Sequence, residues 1–124
     1  MLISEISVFS QQSVENDFKG NWISVSSKDT IRLHVLKNNR ILVQLHSNVP
    51  MAIYRYEILF QNSDLFLVIK SIEKKTQDSL IIILSKVNDE EYKIKSIVAQ
   101  YYDRPPEHWL EEGKSYTLFK ENNL

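Results

Sequence analysis

The chain has 124 residues, of which 43% are hydrophobic and 25% charged, with a formal net charge of -1 and no cysteine. A chain of this length buries roughly two-thirds of its unfolded surface, enough for one core that needs no staples. The composition excludes a disulfide framework and a cysteine-based metal site, and the balanced charge lacks the basic excess or stripe of a nucleic-acid binder.

Residues 1–17 read as a lead segment with one or two helical turns, on which Ile6, Phe9 and Val14 share a face. Met1 to Glu5 carries no basic n-region and no long apolar run follows, so no signal peptide is expected. The longest apolar run, Leu80 to Leu84, is too short to span a bilayer. Without cysteine or a membrane segment, a cytoplasmic location and no membrane partner are the expectation.

From Trp22 onward the pattern is that of strands. Trp22 to Ser26 is the first, and Ser27-Lys28-Asp29 turns the chain. Ile31, Leu33 and Val35 then alternate with Arg32 and His34, the period of two that marks a strand with one wet face. Asn38-Asn39 is a plausible tight turn because asparagine tolerates positive φ. Ile41, Val43 and Leu45 return on one face of the strand from Arg40 to His46. Pro50 marks a longer loop. The longest expected strand runs from Ile53 to Gln61, with Tyr54, Tyr56, Ile58 and Phe60 on one side.

Asn62-Ser63-Asp64 turns into a strand from Leu65 to Ser71. The polar stretch Glu73 to Asp78 connects it to Ser79 to Ser85, whose Leu80 to Leu84 is apolar on both faces, as in a central or covered strand. Asn88-Asp89-Glu90 turns into Tyr92 to Val98, where Lys93 and Lys95 point outward. Pro105 to Gly113 reads as a short helix, with proline in its first turn and glycine at its C-terminal cap. Ser115 to Lys120 is the last strand. Regularly spaced strands of this kind predict a single all-β domain over 1–124, an antiparallel barrel of about eight strands with a short helix before the last.

Few residues have the pattern of a chemical site. The three histidines, His34, His46 and His108, have none of the spacings of a zinc site, although His34 and His46 share the outward face of neighbouring strands. There is no phosphate-binding glycine loop and no Gly-x-Ser-x-Gly elbow. The expectation is therefore no catalytic residue, no metal and no cofactor. Tyr54, Tyr56 and Phe60 either line a cavity in a roomy barrel or fill the core of a tight one. Asp89, Glu90, Glu91, Glu107, Glu111 and Glu112 crowd the last third of the chain. With Trp109 as an aromatic anchor they make a candidate acidic surface for a basic protein partner, if the turn at Asn88 and the segment at Pro105 lie together. The other reading is an ordinary charged surface, balanced by Lys86, Lys93, Lys95 and Lys114.

Phe18-Lys19-Gly20-Asn21-Trp22 resembles the Gly-x-Trp opening of calycins, the superfamily of lipocalins and fatty-acid-binding proteins. That resemblance implies a barrel closed at one end by Trp22, with the late arginine Arg104 packed against it, and a carrier of a small hydrophobic ligand. In kind, the chain is also similar to immunity proteins of bacterial contact-dependent growth inhibition systems. That likeness implies a non-enzymatic inhibitor that blocks a basic nuclease-type toxin domain, such as a ribonuclease, without binding nucleic acid itself. The inhibitor is the first functional expectation and the carrier the alternative.

Overall fold

The computed structural model describes residues 18–25, 30–46, 48–73, 77–110 and 116–121. Nine strands follow one another: β1 (Gly20–Val25), β2 (Thr30–Val35), β3 (Arg40–Gln44), β4 (Ala52–Gln61), β5 (Asp64–Lys70), β6 (Ser79–Asn88), β7 (Glu91–Gln100), β8 (Glu107–His108) and β9 (Tyr116–Glu121). β1 to β7 form an antiparallel meander in which each strand pairs with the next. β9 pairs with both β7 and β1, which closes eight strands into a barrel. The all-β barrel expected from the strand pattern is therefore the fold. The lead segment 1–17 lies outside the described residues.

Alternation makes the inside of the barrel. Trp22 and Ser24 on β1, Ile31, Leu33 and Val35 on β2, and Ile41 and Val43 on β3 are all buried, while Arg32 and Val25 are exposed. Burying these branched and aromatic side chains together is the main favourable term in such a fold. The turns at one end carry residues suited to them. Asn38 and Asn39 take φ of 60° and 58°, and the Arg40 amide donates to the Lys37 carbonyl across them at 3.3 Å. At the β4–β5 hairpin Asn62 and Ser63 take φ of 53° and 69° between the paired residues Gln61 and Asp64.

β7 changes face midway. Leu84 pairs with Ile94 but Ile83 pairs with Ser96, so Lys95 is left over as a bulge. Tyr92 and Ile94 point inward before it, and Ile97 and Ala99 point inward after it. The bulge also divides β7 between partners, with β9 along Glu91 to Ile94 and β8 at Val98 and Ala99.

The expected helix over 105–113 is not what the described part of that segment forms. Glu107 and His108 pair with Ala99 and Val98 as β8, and the Trp109 amide donates to the Ile97 carbonyl at 2.9 Å. Pro105 disfavours helical geometry in Arg104, and Pro106 does the same to Pro105, so the segment enters extended and finds the free edge of β7. Residues 111–115 lie outside the described residues.

Candidate functional site

The two ends of the barrel differ. One end, beside the β2–β3, β4–β5 and β6–β7 turns, is filled. Trp22 has no exposed surface and stacks on Phe18 with ring centroids 5.2 Å apart. Tyr92 meets both rings edge-on, at 5.4 Å from Phe18 and 5.2 Å from Trp22. The Trp22 Nε1–H donates to the Phe18 carbonyl at 2.7 Å, which ties the segment before β1 across the barrel end. Gly20 makes the bend between them at φ 120°, a region that side chains other than glycine's rarely enter.

Trp22 thus fills this end of the barrel, and the cation beside it is not the Arg104 expected from sequence. Lys120 on β9 places its Nζ 5.7 Å from the Trp22 ring. Arg104 lies at the other end, with its guanidinium 3.8 Å above the Tyr101 ring. The reason is positional. Tyr92 touches Trp22, and Tyr101 lies nine residues further along the strand direction, about 30 Å away at ~3.3 Å per residue.

The opposite end is hollow. A cavity of about 1000 Å³ opens there between the ends of the strands. Its inner walls are Ser24, Ile31, Val43, Tyr54, Ile69, Leu80, Ile97, Ala99 and Tyr116. Beneath them Trp22, Leu33, Ile41, Tyr56, Leu67, Ile82 and Ile94 are buried and contribute nothing to its lining, so they form its floor. The rim carries His46, Val49 and Pro50 from the β3–β4 loop, Ser71 and Asp78 from the β5–β6 connection, and Tyr101, Glu107, His108 and Trp109 after β7.

Several bonds brace this rim. The Gln44 side chain donates to the Val49 carbonyl at 2.9 Å, and the Val49 amide donates to the His46 carbonyl at 3.1 Å. Arg55 Nε donates to the Ser71 carbonyl at 2.9 Å. The Tyr102 amide donates to Asp78 Oδ1 at 3.0 Å, which links the β5–β6 connection to the segment after β7. The Tyr101 hydroxyl reaches Glu107 Oε2 at 3.3 Å. Walls held by ladders and a rim held by cross-links leave the cavity preformed, with apolar walls and a polar border, the usual character of a small-molecule site.

The residues singled out from sequence fall at different places. Of the aromatic trio, Tyr54 lines the cavity, Tyr56 is buried below it, and Phe60 is 38% exposed near the filled end. The described carboxylates do not form one surface. Asp89 and Glu90 form the β6–β7 turn and Glu91 opens β7, while Glu107 and Trp109 stand at the mouth. Glu91 and Ala99, the partner of Glu107, are eight residues apart on β7, about 27 Å at ~3.4 Å per residue. Glu111 and Glu112 lie outside the described residues. Asp89 is paired locally, 2.9 Å from Lys86.

His34 pairs with Leu42, four residues short of His46, so the two histidines are also well separated. His46 and His108 both reach the mouth. Among the described residues no cluster of three histidine, aspartate or glutamate side chains is placed to hold a metal ion. None of the described helices is long and apolar enough to cross a membrane.

Sequence reasoning missed Ser24, Ile31, Ile97 and Ala99 as cavity residues. Ser24 had a readable signal, since it shares the inward parity of Trp22. Ile97 and Ala99 had none, because the bulge at Lys95 shifts their parity relative to Tyr92.

Comparison with known proteins yields no match: no family model, no curated protein and no solved structure is significantly similar to this chain.

Proposed function

We propose that this protein is a calycin-like binding module that takes up a small, predominantly apolar molecule through the open end of its barrel. The observation that carries this reading is the half-hollow barrel, a cavity of about 1000 Å³ above a closed aromatic floor. A barrel of eight strands can be filled by its own side chains, as the lower half of this one is. Leaving the upper half open forgoes contacts that would stabilise the fold, and a ligand restores them. The site binds and encloses; the reading assigns it no bond-making step.

The test has two arms. Native mass spectrometry of protein purified from its producing cells is expected to show a bound species of a few hundred daltons. The neutral dye N-phenyl-1-naphthylamine is expected to bind and brighten, and Ala99→Phe, which fills the cavity from β7, to abolish that signal. Protein that is ligand-free and does not bind the dye rejects the reading.

A second reading is the toxin-neutralising inhibitor of a nuclease-type toxin. The exposed Asp89-Glu90 turn, with half-buried Glu91 beside it, favours it, since exposed carboxylates speed encounter with a basic partner. It now rests on that turn without Glu107 and Trp109, which lie at the far end. Joint alanine replacement of Glu90 and Glu91 is its test, with unchanged association to a basic toxin domain rejecting that surface.

A further inference from the structure

Ser24 is the one buried polar residue among the described residues, with 2% of its surface exposed. Strand alternation sets its direction. Trp22, two residues earlier, faces the barrel interior, while Val25 beside it is 70% exposed. Ser24 therefore sits one inward step above the Trp22 plug, low on the cavity wall, about 7 Å along the strand at ~3.4 Å per residue. Its ladder partner is Ile31, and the inner wall is otherwise Val43, Ile69, Leu80, Ile97 and Ala99, with Tyr54 and Tyr116 as its other hydroxyl-bearing residues.

Among the described residues, no hydrogen-bond partner engages the Ser24 hydroxyl. A hydroxyl in an apolar wall is costly unless something in the cavity bonds to it. Valine would suit the strand and the wall better. A hydroxyl held at this position therefore fits a ligand oxygen or nitrogen that comes within reach of it.

Charge is distributed the other way. The charged side chains bordering the cavity belong to its rim, at the strand ends and connections. Asp78 already accepts the Tyr102 amide, and Glu107 accepts the Tyr101 hydroxyl. Lys70, the one lysine or arginine that borders the cavity among the described residues, ends β5 beside the rim, and its Nζ lies 4.0 Å from Glu57 Oε1 on the outer surface. Among the described residues, no cation reaches the lower wall to balance a buried carboxylate, and an unpaired charge there is far costlier than a neutral dipole.

Building on the proposed ligand site, we infer that Ser24 selects the buried end of the ligand: an elongated apolar molecule with one uncharged oxygen, as in a long-chain alcohol, ketone or ester. Any ionised group on the ligand stays at the rim. The hydroxyl serves both as donor and as acceptor, so either an alcohol or a carbonyl satisfies it.

The experiment is competition against N-phenyl-1-naphthylamine with 1-decanol and with decanoate. On the wild-type protein 1-decanol displaces the dye at a concentration at least tenfold lower than decanoate. Ser24→Ala weakens 1-decanol about fivefold more than it weakens the dye, the loss of one ordinary hydrogen bond. Ser24→Thr retains the 1-decanol affinity. Ser24→Val melts at or above the wild-type temperature, because its hydroxyl serves a ligand and not the fold. Dye binding with decanoate preferred, or with 1-decanol unaffected by Ser24→Ala, overturns this inference and leaves the ligand site standing. A large destabilisation by Ser24→Val also overturns it. Failure of the wild-type protein to bind the dye at all overturns both.

Discussion

Replacing Trp22 tests the closed end of the barrel most sharply. Its indole has no exposed surface, stacks on Phe18, meets Tyr92 edge-on and donates to the Phe18 carbonyl at 2.7 Å. Trp22→Phe keeps one ring for both aromatic contacts but removes the donor. It strands a buried carbonyl at a cost of about 1–2 kcal/mol, and the missing ring adds roughly 1 kcal/mol more. The sum is about 2–3 kcal/mol. At roughly 3–4 °C per kcal/mol for a chain of this length, the melting temperature falls by about 6–12 °C. Trp22→Ala removes the whole side chain and costs roughly 3–5 kcal/mol, a large share of the ~5–15 kcal/mol a small domain possesses. Urea denaturation at unchanged slope measures both. Because Trp22 belongs to the packed floor and not to the cavity wall, Trp22→Phe retains dye binding. If both variants fall within about 0.5 kcal/mol of the wild type, the aromatic plug is not what closes this end.

The remaining expectations follow from single positions. Gly20→Ala destabilises by about 1–3 kcal/mol through backbone strain, since φ is 120° there. Steric clash adds little, because the added Cβ would meet only Lys120 Cε at an ordinary 3.5 Å. A chemical melt shows the difference, and a neutral result refutes the bend's role. Ser63→Gly stabilises by about 0.5–1 kcal/mol, because Ser63 holds φ 69° in a two-residue hairpin that favours glycine; a lower melting temperature contradicts it. Ala99→Phe leaves the far-ultraviolet circular dichroism of the barrel intact while removing dye binding, and dye binding at wild-type affinity places the dye elsewhere.

The barrel was legible because its strands face water on one side and the core on the other. Ile31-Leu33-Val35 and Ile41-Val43 declare their inward parity without any tertiary knowledge. Asn38-Asn39 was legible as a turn for a local reason, the tolerance of asparagine for positive φ. What failed was non-local. Pro105 to Gly113 has helix-like end signals, but the free edge of β7 offered backbone bonds that Glu107 and His108 took. Arg104 is the last arginine in sequence, yet β7 carries it to the far end, and Lys120 stands over Trp22 because β9 pairs beside β1 there. Asp89, Glu90 and Glu91 share the last third of the sequence with Glu107 but are divided from it in space by the length of β7. The hollow end had no signature at all. Tyr54 and Tyr56 alternate identically along β4, and only the barrel's stagger places one at the cavity and the other in the packed floor.

Mapping by nuclear magnetic resonance with saturating 1-decanol tests the central claim most directly. The account predicts that the largest amide and methyl shifts fall on Ser24, Ile31, Val43, Ile69, Leu80, Ile97 and Ala99, while Phe18, Asn38 and Asn62 at the filled end stay unmoved. Shifts confined to the outer face, at Leu59 and Phe66, or no shifts at any concentration the alcohol reaches, would contradict it.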